Sequence, residues 1–164
     1  MSKSNITKTL EKLLENRFNT RNDFYVFECT LGWYGKEIVD CICYNCQREV
    51  ICYEIKSSVS DFHSKATHTL IGNKNYYVMP RDVYNKVKSE IPRHIGVLIP
   101  IKQTYELKKK DLFEDGFEML GVIKNASRVE LKADKEVILS SMLRSMQRER
   151  LKIQRKLEKV VSKA

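Results

Sequence analysis

The chain has 164 residues, 42% of them hydrophobic and 31% charged, with a formal net charge of +9. That length suits one domain with a real core and an appendage, and the composition is too apolar for a disordered chain. No apolar run reaches the roughly 20 residues of a membrane span, and the opening MSKSNITKTLEK lacks the apolar stretch of a signal peptide, so no membrane and a cytoplasmic location are expected. The five cysteines then read as reduced thiols, and the positive charge favours a polyanionic partner such as DNA.

In chain order, residues 6–17 predict a helix, because Ile6, Leu10, Leu13, Leu14 and Phe18 recur at helical spacing among charged positions. Three β-prone runs follow at 24–31, 37–44 and 49–57, separated only by GWYGK and NCQR. Connections this short require antiparallel neighbours. Ser58, Ser60 and Asp61 are N-cap candidates for a helix running to about Leu70. A strand at 75–80, a helix at 81–91 and a strand at 95–100 complete an α-β-β-β-α-β-α-β order, a layered α/β (α+β) domain with a mixed sheet. Residues 101–132 hold a lysine run, Lys108 to Lys110, an Asp115-Gly116 turn and weaker strands near 119–123 and 128–131. From Asp134 to about Val160 a long helix without proline or glycine is expected. The chain thus divides into a domain over 1–132 and a basic C-terminal helix over 133–164, packed on the domain or extending from it.

The run ICYEIKSSVSDF places Glu54 and Lys56 on one face of an otherwise apolar strand. A hairpin centred on Gln47 sets Asp40 opposite Glu54 and Ile42 opposite Cys52. The other face then carries Val39, Cys41, Cys43, Ile51, Tyr53 and Ile55. A first hairpin centred on Tyr34 sets Glu28 opposite Asp40. Three carboxylates and a lysine would meet across three strands. Carboxylates so placed repel and need a cation to stay ionised together, and hard oxygen donors suit Mg²⁺ or Mn²⁺. Such an ion can activate a water and neutralise charge on a phosphodiester, with a lysine beside it to orient that water or steady the phosphate. An exposed cross-strand ion pair would account for Glu54 and Lys56 alone, not for the further acids.

Asp40 followed by Glu54-Ile55-Lys56 on the next strand, after an opening helix, resembles the PD-(D/E)XK nuclease superfamily. Ser60-Asp61-Phe62, NYYVMP and IGVLIP look most like its small MmcB-like branch, associated with DNA repair and often found in phage genomes. The resemblance covers about residues 6–100. It implies a restriction-endonuclease-like α-β-β-β-α-β core and a metal-dependent deoxyribonuclease with Asp40, Glu54 and Lys56 as catalytic residues. Asp40 and Glu54 would hold Mg²⁺ or Mn²⁺, with Glu28, or Glu11 or Glu15 on the opening helix, as a further acid. No proline precedes Asp40, a departure from the usual pattern of the superfamily. A DNA-binding accessory protein without turnover, or a protein-binding phage factor using the long helix, are the other readings.

Cys41, Cys43, Cys46 and Cys52 crowd into twelve positions, yet the hairpin register splits them between two faces and a turn, so core thiols are expected rather than zinc. His63, His68 and His94 are scattered. Trp33 and Tyr34 in the first turn could stack on a base or pack on the opening helix. From Arg144 to Lys163 there are eight lysines and arginines against two glutamates. With Lys65, the basic residues Arg144, Arg148, Lys152 and Arg155 are candidates for phosphate contacts. Leu139, Leu143, Met146, Ile153, Leu157 and Val160 form a heptad seam broken only by Arg150, which fits packing on the domain or pairing as a homodimer.

Overall fold

The computed structural model describes residues 3–19, 23–32, 35, 37–64, 69–102 and 119–162. Among them α1 (Asn5–Asn19) leads into β1 (Phe24–Thr30), β2 (Ile38–Tyr44) and β3 (Val50–Ile55), followed by α2 (Val59–Phe62) and β4 (Lys74–Val78). Then come α3 (Arg81–Val87), β5 (Gly96–Ile101), β6 (Met119–Lys124) and α4 (Lys135–Val161). The strands lie side by side in sequence order as one mixed sheet. β1–β2, β2–β3 and β5–β6 are antiparallel, and β3–β4 and β4–β5 are parallel. The expected element order is therefore present as a mixed α/β sheet with a long C-terminal helix.

Helices cover both faces. Leu10, Leu13, Leu14 and Phe18 of α1 pack on Cys41, Cys43, Tyr53 and Ile55. On the opposite face Ile138 and Met142 of α4 meet Val26, Ile42 and Cys52, and Val83 and Val87 of α3 meet Tyr77, Val97 and Ile99. Strand alternation explains the division, since neighbours such as Cys52 and Tyr53 point oppositely.

Both hairpin registers come out as the alternation predicts. Ile42 pairs with Cys52 and Cys41 with Tyr53 in β2–β3, while Phe27 pairs with Cys41 and Cys29 with Val39 in β1–β2. The face assignment fails at one residue. Val39 packs with Cys29 and Ile42 on the α4 side, not with Cys41 and Cys43 on the α1 side. The ladder is irregular at the same level across the hairpin. Glu28 has φ of +50°, and no Glu28–Asp40 pair occurs in the ladder. The chain reverses its alternation there, so Phe27 faces α1 and Cys29 faces α4.

Two helices are shorter than expected, and one expected strand is absent. α2 ends at Phe62, with residues 63 and 64 in a turn, rather than running to Leu70, which with Ile71 is outside any helix and packs on the sheet. α3 ends at Val87, where a turn precedes Pro92, a residue that disfavours helix before it. Residues 128–131 form no strand; the Val129 N–H donates to Asn73 O at 2.8 Å and the Lys132 N–H to Ile71 O at 3.2 Å. Trp33, Tyr34, Lys65, His68, Lys108 to Lys110, Asp115-Gly116 and Lys163 lie outside the described residues.

The crossover into β4 is held by a buried amide. Asn75 accepts from the Gly72 N–H at 2.9 Å and donates Nδ2–H to Gly72 O at 3.0 Å. Asn75→Ala strands both groups inside the protein and is expected to cost about 1–3 kcal/mol, read by urea denaturation. A cost indistinguishable from zero would mean that water replaces the amide there.

Candidate functional site

β3 carries Glu54 into the protein and Lys56 follows just beyond the strand, where its N–H still bonds Val78 O at 2.9 Å. Glu54 is 5% exposed and Lys56 2% exposed, and Lys56 Nζ lies 3.1 Å from Glu54 Oε1. This is a buried ion pair, not an exposed one. Burial and the charge of Asp40 raise the Glu54 carboxyl to about 7, against the pull of Lys56.

Asp40 stands one step beyond the last β2–β3 pair, Cys41–Tyr53. Its Oδ2 accepts the Ile55 N–H at 2.9 Å, so a carboxylate takes the place of a backbone carbonyl where the ladder stops. Burial raises its pKa, and the Ile55 N–H and Lys56 oppose that shift. Asp61 adds negative charge that acts on both Asp40 and Glu54. Asp61 itself accepts from the Ser57 N–H at 2.8 Å and from Ser57 Oγ–H at 3.1 Å, which orients it at the start of α2.

Glu28 comes to the same neighbourhood by a different route. Its left-handed backbone is a cost that a non-glycine residue bears only where its surroundings hold it. Its exposed side chain meets Lys3 Nζ at 2.7 Å, and Lys3 also meets Glu11 at 2.6 Å. Lys3, Glu11, Glu28, Asp40 and Asp61 line a small recess of about 210 Å³. Nothing in the strand pattern points to Lys3, since its contact with Glu28 spans the whole of α1. Glu15 is directed elsewhere, to Lys12 at 2.9 Å.

A larger cleft of about 810 Å³ opens between the sheet and α4, with Glu28, Asp40 and Glu54 on one side and Arg148, Glu149 and Lys152 on the other. Arg148 donates to Ser145 Oγ at 2.9 Å, and Lys152 pairs with Glu149 at 2.6 Å. Arg144 has a different position: it donates to Gly32 O at 2.7 Å and to Ser141 Oγ at 3.0 Å, tying α4 to the end of β1. Arg155 lies on the exposed part of α4, away from this cleft.

The cysteines are all free; Cys29, Cys41, Cys43 and Cys52 are buried and Cys46 is exposed in the β2–β3 turn. Burial pushes the Cys52 thiol up to about 12 and Cys41 well above its ordinary value, which disfavours the thiolate a metal needs. His63 pairs with Glu90 at 2.8 Å. Among the described residues no group of three or more His, Cys, Asp or Glu is arranged to hold a metal ion. What the cleft offers a cation is the pair of carboxylates Asp40 and Glu54, hard donors whose mutual repulsion a divalent ion would relieve.

No protein-family model matches the chain, and no curated protein is similar to it. A solved structure is similar in fold: the SPO1766 protein of unknown function from Silicibacter pomeroyi, at 14% sequence identity and a TM-score of 0.60, over 97% of this chain and 93% of that chain.

Proposed function

We propose that the chain is a metal-dependent deoxyribonuclease on a restriction-endonuclease-like core, hydrolysing a phosphodiester at the cleft between β1–β3 and α4. One observation carries this reading: Asp40 and Glu54 converge at one cleft, both with raised carboxyl pKa values, beside a lysine 3.1 Å from Glu54. A structural ion pair has no need of the second acid or of the open cleft.

Asp40 and Glu54 would hold Mg²⁺ or Mn²⁺, with Glu28 as a further acid at the rim. When bound, that ion supplies Lewis-acid activation of water and charge neutralisation at the phosphate. The protein's own groups do the rest. The Ile55 N–H fixes the Asp40 carboxylate so that it presents the same oxygen without a rotamer search. Lys56, buried beside Glu54, would orient water or stabilise negative charge on the phosphoryl oxygens from a fixed position. Arg148 and Lys152, across the cleft, would take neighbouring phosphates, whereas Arg144 keeps its structural tie to Gly32.

A second reading is a DNA-binding accessory protein without turnover. It is favoured by the lack, among the described residues, of a three-ligand metal group. Incubation of plasmid and linear DNA with the protein and Mn²⁺ or Mg²⁺ separates the two. Cleavage abolished by EDTA supports the nuclease; retention of DNA with no cleavage under any metal supports the accessory protein.

Phosphate contacts by α4 have their own signature. A chain cut after Met146 loses Arg148, Lys152 and Arg155, and each lost contact should lower the slope of log affinity against log salt by about 0.9 on duplex DNA. The weakening should be uniform across DNA sequences, because phosphates carry no base information. An unchanged slope would remove α4 from the DNA interface.

A further inference from the structure

α4 is 27 residues long, about 40 Å at 1.5 Å per residue, and only its first part is packed: Ile138, Ser141, Met142 and Ser145 are its buried residues. From Lys152 to Ser162 every residue is exposed. The outward side of the helix, along both its packed and its free part, is not polar all round. Leu143 is 67% exposed and Leu157 61%, and Met146, Ile153 and Val160 are exposed with them. These residues alternate at four and three positions and so form one stripe. The stripe continues onto β1, an edge of the sheet, where Phe24 is 62% exposed and shares a cleft of about 720 Å³ with Met146 and Ile153. A helix end this short is marginal on its own in water, and an apolar stripe along it calls for a partner.

We infer that the partner is a second copy of this chain, joined through an antiparallel pairing of the two α4 tails about a twofold axis. Charge decides the orientation. Arg150 is the only interruption of the stripe. A parallel pair would set Arg150 against Arg150 of the partner subunit, two like charges in the seam, and would give Glu149 only the partner's Gln154 as a neighbour. The antiparallel pair sets Leu143 against the partner's Val160, Met146 against the partner's Leu157, and Arg150 against the partner's Ile153. Glu149 then flanks the partner's Lys156, and by symmetry this ion pair occurs twice. Arg148 and Arg155 fall on the outer side of the heptad and stay in solvent.

The tail carries an excess of positive charge: six lysines and arginines between Met146 and Ser162 against Glu149 and Glu158. The two tails therefore repel through their flanks. Salt screens that repulsion, so self-association should strengthen with ionic strength, the reverse of binding to a polyanion.

Sedimentation equilibrium of the full chain is expected to give twice the 19.3 kDa chain mass. Leu157→Gln, at a position exposed in the isolated fold, should weaken the dimer at least about tenfold without altering thermal stability of the domain. Orientation is read by disulfide trapping on a Cys46→Ser background, since the other four cysteines are buried. A mixture of Arg150→Cys and Ile153→Cys chains should cross-link to each other while neither cross-links to itself. Self-linking of Arg150→Cys alone would overturn the antiparallel pairing. A monomer at the highest concentration the protein tolerates, at both low and high salt, would overturn the dimer. Neither result bears on whether DNA is cut.

Discussion

Glu54→Gln is expected to reduce metal-dependent cleavage at least about a hundredfold and, in EDTA, to make the protein more stable than the parent at pH 8. The first effect follows from removing a ligand and its negative charge. The second follows from linkage. Burial and Asp40 lift the Glu54 carboxyl from 4.5 to about 7. Between those values the native state keeps a proton that the unfolded state has released, so the contribution of Glu54 to stability falls as pH rises through that window. Above pH 7 the full penalty is present, about 3 kcal/mol for a shift of that size. The variant has no such window and should lose its advantage as pH falls toward 5. Urea denaturation of both chains from pH 5 to 8 measures this. Mn²⁺ at pH 8 should raise the Tm of the parent and not that of the variant. An identical pH slope in the two chains would place the titration elsewhere.

Lys56→Met is expected to be the most damaging substitution at the site, costing about 3–5 kcal/mol at pH 8. The two partners of the buried pair are not equivalent. Without Glu54, Lys56 still has the negative charge of Asp40 for company, and its own charge acts on Asp40. Without Lys56, Glu54 and Asp40 are left repelling one another, with Asp61 adding to the repulsion. Glu54 can escape by taking a proton, so the cost should shrink at pH 6. Glu54→Gln/Lys56→Met should recover most of the loss, because it removes both charges and leaves no orphan. If the double variant is as unstable as Lys56→Met alone, the damage comes from lost packing and the charge argument fails. Cleavage should fall in every one of these chains.

Glu54, Lys56 and Asp40 were legible in the sequence for a definite reason. Two short turns left antiparallel hairpins as the only solution, and the two-residue period of a strand, with a coherent apolar set on one face, then fixed which residues stand opposite. The same local logic found α1 and α4, whose apolar positions recur with a helical period over enough turns to exclude accident. It could not find the reversal at Glu28, because nothing in FYVFECTL marks a non-glycine residue for φ of +50°. Across the hairpin from it Val39 packs on the α4 side of the sheet, with Cys29 and Ile42. Nor could it separate the arginines of α4. Composition and spacing make Arg144 and Arg148 alike, four residues apart on one helix. Only the packing of α4 against β1 turns the first toward the carbonyl of Gly32 and leaves the second at the acidic cleft. The order of elements and the pairing of the first three strands were readable from the chain, because periods of two and 3.6 residues and two short turns impose them; the places of β4, β5 and β6 beside β3 were not. The tertiary structure decided burial, backbone strain and which charges meet, because those depend on contacts between residues far apart in the chain.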